Sequence, residues 1–147
     1  MKIKIIGVIV VILGGVIGGV LGQNCDNFEK RCPEPQKSFK LSAASRSFSL
    51  KNGSKVTVAF NAMAGRDYFI SICGKGKADG MQFKIVAGES GNSKILYDNA
   101  AVGFSPEKVI TMASTQKIFV EVTAPKSKFD KGDIECGGIK IAYRNAM

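Results

Sequence analysis

From residue 47 onward the chain alternates. Phe48 and Leu50 alternate with Ser47 and Ser49; Val56, Val58 and Phe60 with Thr57 and Ala59; Tyr68, Ile70 and Ile72 with Phe69, Ser71 and Cys73. The same period of two returns at Met81, Phe83 and Ile85, at Ile118, Val120 and Val122, and at Ile139, Ile141 and Tyr143. "KILYDN" and Val109–Met112 supply two more short segments. A strand places successive side chains on opposite faces, so this period marks strands with one buried face. "KNG", "AGR", "GKGKADG", "GESGNS" and "APKSKFDKGD" separate the segments with turn and loop residues. About eight short strands with no crossover helix between them predict an all-β domain. The expected form is an antiparallel, jelly-roll-like β-sandwich over residues 46–147.

The N-terminus reads differently. Lys2 and Lys4 precede an apolar run from Ile5 to Leu21, the charged and hydrophobic regions of an export signal. Val20 and Gly22 suit a signal peptidase, which predicts a cut between Gly22 and Gln23. Gln23 and Asn24 ahead of Cys25 argue against lipidation. The alternative is a retained anchor. The run would form about 25 Å of helix, a little short of the ~30 Å hydrocarbon core. Glycines 14, 15, 18, 19 and 22 give G-x-x-x-G spacings that bring membrane helices close. Either way the body is exported. Residues 1–22 are then a signal or signal-anchor helix, residues 23–45 a cysteine-bearing segment, and 46–147 the sandwich.

Export gives the cysteines their meaning. Cys25, Cys32, Cys73 and Cys136 are an even set in an oxidising compartment, and read as two disulfides. "CDNFEKRC" looks like a short helix, across which positions 25 and 32 would lie about 10 Å apart. A disulfide needs Cα atoms within about 7 Å. The preferred pairing therefore joins each of Cys25 and Cys32 to Cys73 or Cys136. If the segment is not helical, Cys25–Cys32 with Cys73–Cys136 stays open.

The stretch "AGRDYFISICGKGKADGMQFKIV", followed by "KILYDN", resembles the bacterial pre-peptidase C-terminal type of domain over residues 46–144. The shared pattern is a glycine turn, a strand of the form Y-x-I-x-I, a loop, a second strand and a short "ilyd" segment. The chain is similar as well to small bacterial secreted proteins with a cysteine-bearing segment before such a sandwich. The resemblance implies a non-catalytic sandwich used for surface or substrate binding. No enzyme domain is expected beside it in this chain, and the loop after Cys73 carries Lys75 and Lys77 with Asp79 as the one acid.

Chemistry is constrained by what is missing. The chain has no histidine, which removes Ser-His-Asp and Cys-His nucleophiles and the usual zinc sites. Twelve carboxylates remain, and no pair stands out by an apolar setting as a glycosidase pair would. Asp130, Asp133 and Glu135 in "DKGDIE" alternate oxygen ligands around a glycine and could hold calcium, with Asp79 and Asp98 as distant partners. Lys126, Lys128 and Lys131 among them favour a solvated loop. No other cofactor is expected.

Without residues 1–22 the net charge is 21 − 2 − 12 = +7, which suits an anionic glycan, a protein or a cell surface. Nucleic acid is not expected outside the cell, and membrane contact is expected only if the helix is retained. Tyr68, Phe69, Tyr97 and Phe104 are the aromatics that a binder would use. The alternation turns Tyr68 inward and leaves Phe69 and Phe119 on the outer faces. There they either form an exposed patch or lie under the N-terminal segment. The expected function is a secreted or periplasmic, non-catalytic binding module acting through loops 74–80 and 125–135, with Lys75 and Lys77 on the first. The alternatives are a membrane-tethered structural or assembly protein and, last, a small hydrolase using paired carboxylates.

Overall fold

The computed structural model describes residues 25–51, 53–75, 80–88, 93–124 and 134–147. The signal or anchor, residues 1–22, lies outside them. The alternating segments form nine strands among these residues: β1 (Lys40–Leu41), β2 (Arg46–Lys51), β3 (Lys55–Ala62), β4 (Arg66–Gly74), β5 (Gln82–Ala87), β6 (Lys94–Asp98), β7 (Glu107–Thr111), β8 (Gln116–Thr123) and β9 (Ile134–Asn145). Every pairing is antiparallel. One sheet runs β2–β9–β4–β7, with β1 also on the outer side of β9; the other runs β3–β8–β5–β6. Two four-stranded sheets in these orders are the double Greek key of a jelly roll. The two-residue β1, in the cysteine-bearing segment, is a strand that the alternation does not signal.

The core follows the period. Leu50, Ile70, Ile139 and Ile141 from one sheet meet Val58, Phe83, Ile85, Ile118, Val120 and Val122 from the other, all fully or almost fully buried. Fully burying such a side chain contributes about 1.5–3 kcal/mol.

A third layer covers the outer face of the β2–β9–β4–β7 sheet. "CDNFEKRC" forms one 3-10 turn, Phe28–Arg31, in place of the longer helix that its composition suggests. Two bridges fasten it, Cys25–Cys136 and Cys32–Cys73, so each N-terminal cysteine reaches the body. Gly138 of β9 makes the approach possible: a Cβ there would stand 2.6 Å from the Glu29 Cα and 3.1 Å from the Cys32 Sγ. Beyond the turn, Ser71 Oγ donates to the Pro33 carbonyl at 2.9 Å. The Phe39 ring packs on Phe69 with centroids 6.0 Å apart. Arg144 lies over the Phe39 ring at 4.3 Å and bonds Asp67 Oδ2 at 3.0 Å, Gln36 at 3.2 Å and Ser38 at 2.9 Å.

Lys140 is the unexpected member of this layer. The alternation puts it opposite the core, as a solvated residue, yet it is 2% exposed. Its ammonium donates to the Cys32 carbonyl at 3.2 Å, to the Lys30 carbonyl at 3.5 Å and to the Glu34 carboxylate. A buried ammonium is stable only with its donors satisfied, and the covering segment supplies all three acceptors.

Candidate binding end of the sandwich

Register decides which loops meet. Gly74 pairs with Gly137, Lys51 with Ile134, Gln82 and Lys55 with Thr123, and Ser71 with Glu107. The β2–β3 turn, the β4–β5 connection, the β6–β7 connection and the β8–β9 connection therefore leave from one end of the sandwich. The connections 75–81 and 124–133 hold five lysines and three aspartates in sequence, with Lys51 and Lys55 beside them at the β2–β3 turn. The connections leaving the opposite end hold Glu89 as their single charge. Lys75 is exposed, and its N–H donates to the Cys136 carbonyl at 3.0 Å, tying the start of its loop to β9. Lys77 lies outside the described residues.

The β6–β7 connection is the most tightly built part of this end. Asp98 caps a 3-10 turn, Asn99–Val102, by accepting from the Ala100 N–H at 3.0 Å, and takes a second bond from Gln82 Nε2 at 3.0 Å. Those donors, Gln82 first, hold its carboxyl below the usual carboxylate range. Asn99 is fully buried. Its Oδ1 accepts from the Phe83 N–H at 2.8 Å, and its Nδ2 donates to the Met81 carbonyl at 2.9 Å and the Ser105 carbonyl at 3.2 Å. Gly103 closes the turn with a left-handed φ of 73°. Phe104 follows with φ 59°, a conformation that costs a residue with a Cβ about 1–2 kcal/mol. Its N–H donates to the Asn99 carbonyl at 2.8 Å, and the Pro106 carbonyl accepts from Ile72 at 2.8 Å. Phe104 is 48% exposed and walls a cleft of about 110 Å³ with Ile72, Cys73, Gly80, Met81 and Pro106.

The other aromatic candidates lie elsewhere. Phe69 is not a surface residue: the staple lays Phe39 over it, and it is 5% exposed. Tyr68 is in the core, and Tyr97 packs on Phe83 with centroids 5.3 Å apart. Phe119 is half-buried on the outer face of the second sheet, with Lys117 Nζ 5.5 Å above its ring. Asp130 and Asp133 lie outside the described residues; Glu135 stands in β9 opposite Leu50, half-exposed. Among the described residues no three metal-ligating side chains gather.

Several of the described carboxylates have local partners. Glu29 and Glu34 line a groove of about 470 Å³ beside Leu41, Ser45 and Lys140. Glu34 is paired with Lys140, and Glu29 bonds the Ser47 hydroxyl. Asp67 is held below the usual range by Thr111 and then Arg144.

Asn99 and Lys140 escaped the sequence reading. A signal for the first was present: an Asp cap and a Gly stop bracket "DNAAVG" as one short turn. None marks the burial of Lys140, which depends on a segment more than a hundred residues away.

No family model matches the chain, and no curated protein matches it. Solved structures do. Aeromonas hydrophila PliG, a periplasmic lysozyme inhibitor of g-type lysozyme, is 13% identical, with 76% of this chain and 93% of that one covered and a TM-score of 0.53. The Salmonella Typhimurium PliG is 16% identical over 68% of this chain and 89% of its own, TM-score 0.46. A mutant of the Escherichia coli protein is 16% identical over 76% and 95%, TM-score 0.47. The pre-peptidase C-terminal likeness has no counterpart among these three. The chain has the small, β-rich fold of Aeromonas hydrophila PliG.

Proposed function

We propose that this chain is an exported, non-catalytic protein-binding module whose target is a carbohydrate-cleaving enzyme of the g-type lysozyme kind. The observation that carries this reading is the fold it shares with a periplasmic inhibitor of that enzyme, across 93% of the inhibitor's length. Three features of the chain agree. Its two disulfides belong to an oxidising compartment, the periplasm or the cell exterior. It lacks histidine, and the carboxylates that line its groove are tied to Lys140 and Ser47. Glycan-cleaving enzymes work with paired carboxylates, so their clefts are acidic, and the lysine-bearing end of this sandwich has the complementary charge. The likeness of residues 46–144 to pre-peptidase C-terminal domains points to non-catalytic binding too.

The test is a cell-wall lysis assay with a g-type lysozyme and the purified, oxidised protein. Inhibition that saturates at one equivalent and weakens as salt rises is expected. Full lysis at tenfold excess of the protein, with no complex on size-exclusion chromatography, would rule the target out. An anionic glycan is the second reading, favoured by the exposed Lys75 beside the lysine-bearing loops. It predicts salt-sensitive retention on an immobilised sulfated glycan.

A further inference from the structure

Phe104 combines two features that folding alone disfavours. Its backbone takes a left-handed φ of 59° although it carries a Cβ, and nearly half of the residue faces solvent. Asn27 is the other non-glycine residue with positive φ among the described residues, and asparagine tolerates that region. A bulky aromatic does not, and such a conformation persists only where its surroundings over-determine it. Here they do. The Asn99 carbonyl receives the Phe104 N–H, the buried Asn99 amide fixes Ser105 on one side and Met81 and Phe83 on the other, and Pro106 is bonded to β4. The backbone that carries the ring is thus fixed at the lip of an apolar cleft of about 110 Å³, with Gly74 in the wall and the exposed Lys75 next in sequence. Five of the eight large apolar side chains exposed among the described residues lie between positions 95 and 109, Phe104 in their midst: Ile95, Leu96, Val102, Phe104 and Val109.

We propose that Phe104 is a preorganised anchor for a protein partner, and that the partner presents an apolar side chain to the cleft within an acidic surround. The charge argument selects that occupant: the exposed Lys75 follows Gly74 at the cleft wall, so an acidic surround complements it, whereas a second copy of this chain would bring Lys75 against Lys75. A small aliphatic or thioether side chain fits the cleft volume. Interfaces concentrate their energy in central aromatics with a polar rim, and a backbone fixed before binding loses little freedom on association. This inference rests on the lysozyme reading for its partner, and adds the residue that makes the contact.

Two variants separate the ring from the backbone. Phe104→Ala removes the ring and keeps a Cβ at φ 59°; Phe104→Gly removes both. Thermal unfolding should place Phe104→Gly a few degrees above Phe104→Ala, the order that a left-handed position requires. Against g-type lysozyme, both should bind about thirtyfold more weakly than wild type, as a hot-spot truncation does. Wild-type affinity in folded Phe104→Ala overturns the anchor while leaving the target standing. An alanine variant more stable than the glycine variant overturns the strained backbone on which preorganisation depends. If the wild-type protein does not bind the enzyme at all, the target fails and takes this anchor's partner with it.

Discussion

Replacing Lys140 with Met isolates one part of the layer that covers the sandwich. Methionine keeps most of the side-chain volume and removes the ammonium. The Glu34 carboxylate is 70% exposed and returns to water at little cost. The Cys32 carbonyl, bonded at 3.2 Å in buried surroundings, is left without this donor, and the longer contact to the Lys30 carbonyl is lost as well. An orphaned buried acceptor costs about 1–3 kcal/mol. With the weaker second contact counted, and a partial offset from burying the thioether, the expected loss is about 2–3 kcal/mol. At roughly 3–5 °C per kcal/mol for a domain of this size, the midpoint of thermal unfolding should fall by about 10 °C. Glu34→Gln is the control: its ion pair is exposed at the carboxylate, so the loss should stay under ~1 kcal/mol. Melting curves followed by circular dichroism give both numbers. If Lys140→Met melts within 2 °C of wild type, or if Glu34→Gln is equally damaging, the ammonium does not act through the backbone carbonyls and the account of its burial is wrong.

Other consequences can be measured on the same protein. Removing the Cys32–Cys73 bridge with paired alanines frees a loop with a sequence separation of 41 residues and should cost about 4 kcal/mol in urea unfolding; a loss under 1 kcal/mol would mean that the polar contacts alone hold the segment. Gly138→Ala drives a methyl into the Glu29 backbone and should cost about 2 kcal/mol; a neutral result would show that the segment shifts without penalty. Acid sensitivity follows from Asp67 and Asp98, whose folded-state values lie below the usual range. Their contribution is complete above the unfolded carboxylate value and is lost as pH falls through the folded one, so stability should decline below about pH 4. Asp67→Asn should flatten that decline, and an unchanged slope would remove Asp67 as a cause.

The sheets were legible because alternation is a local property. Six of the eight longer strands appear as an apolar and polar sequence of period two, β6 and β7 as short apolar segments, and the turn residues between them mark where each stops. The cysteine spacing favoured bridges from Cys25 and Cys32 to the body on the premise of a short helix and left a 25–32 bridge open otherwise; the pairing itself was decided by where β9 and β4 place Cys136 and Cys73. The site was half legible. The glycine- and lysine-rich loops lie largely outside the described residues, and the side-chain candidates divided. Phe69, chosen because it faces away from the core, is covered by Phe39. Phe104, named only as one aromatic among several, stands exposed in a conformation that composition does not encode.

By itself the chain's order of residues set the β class, the near-complete strand list and the exclusion of histidine chemistry, since each depends on neighbours in sequence or on the inventory of side chains. The tertiary structure alone decided which loops share an end, which outward face is dry, and why Lys140 and Gly138 in β9 carry the N-terminal segment. Those outcomes depend on contacts between residues 25–41 and residues 66–74 and 136–144, and no local periodicity can report a contact across such a separation.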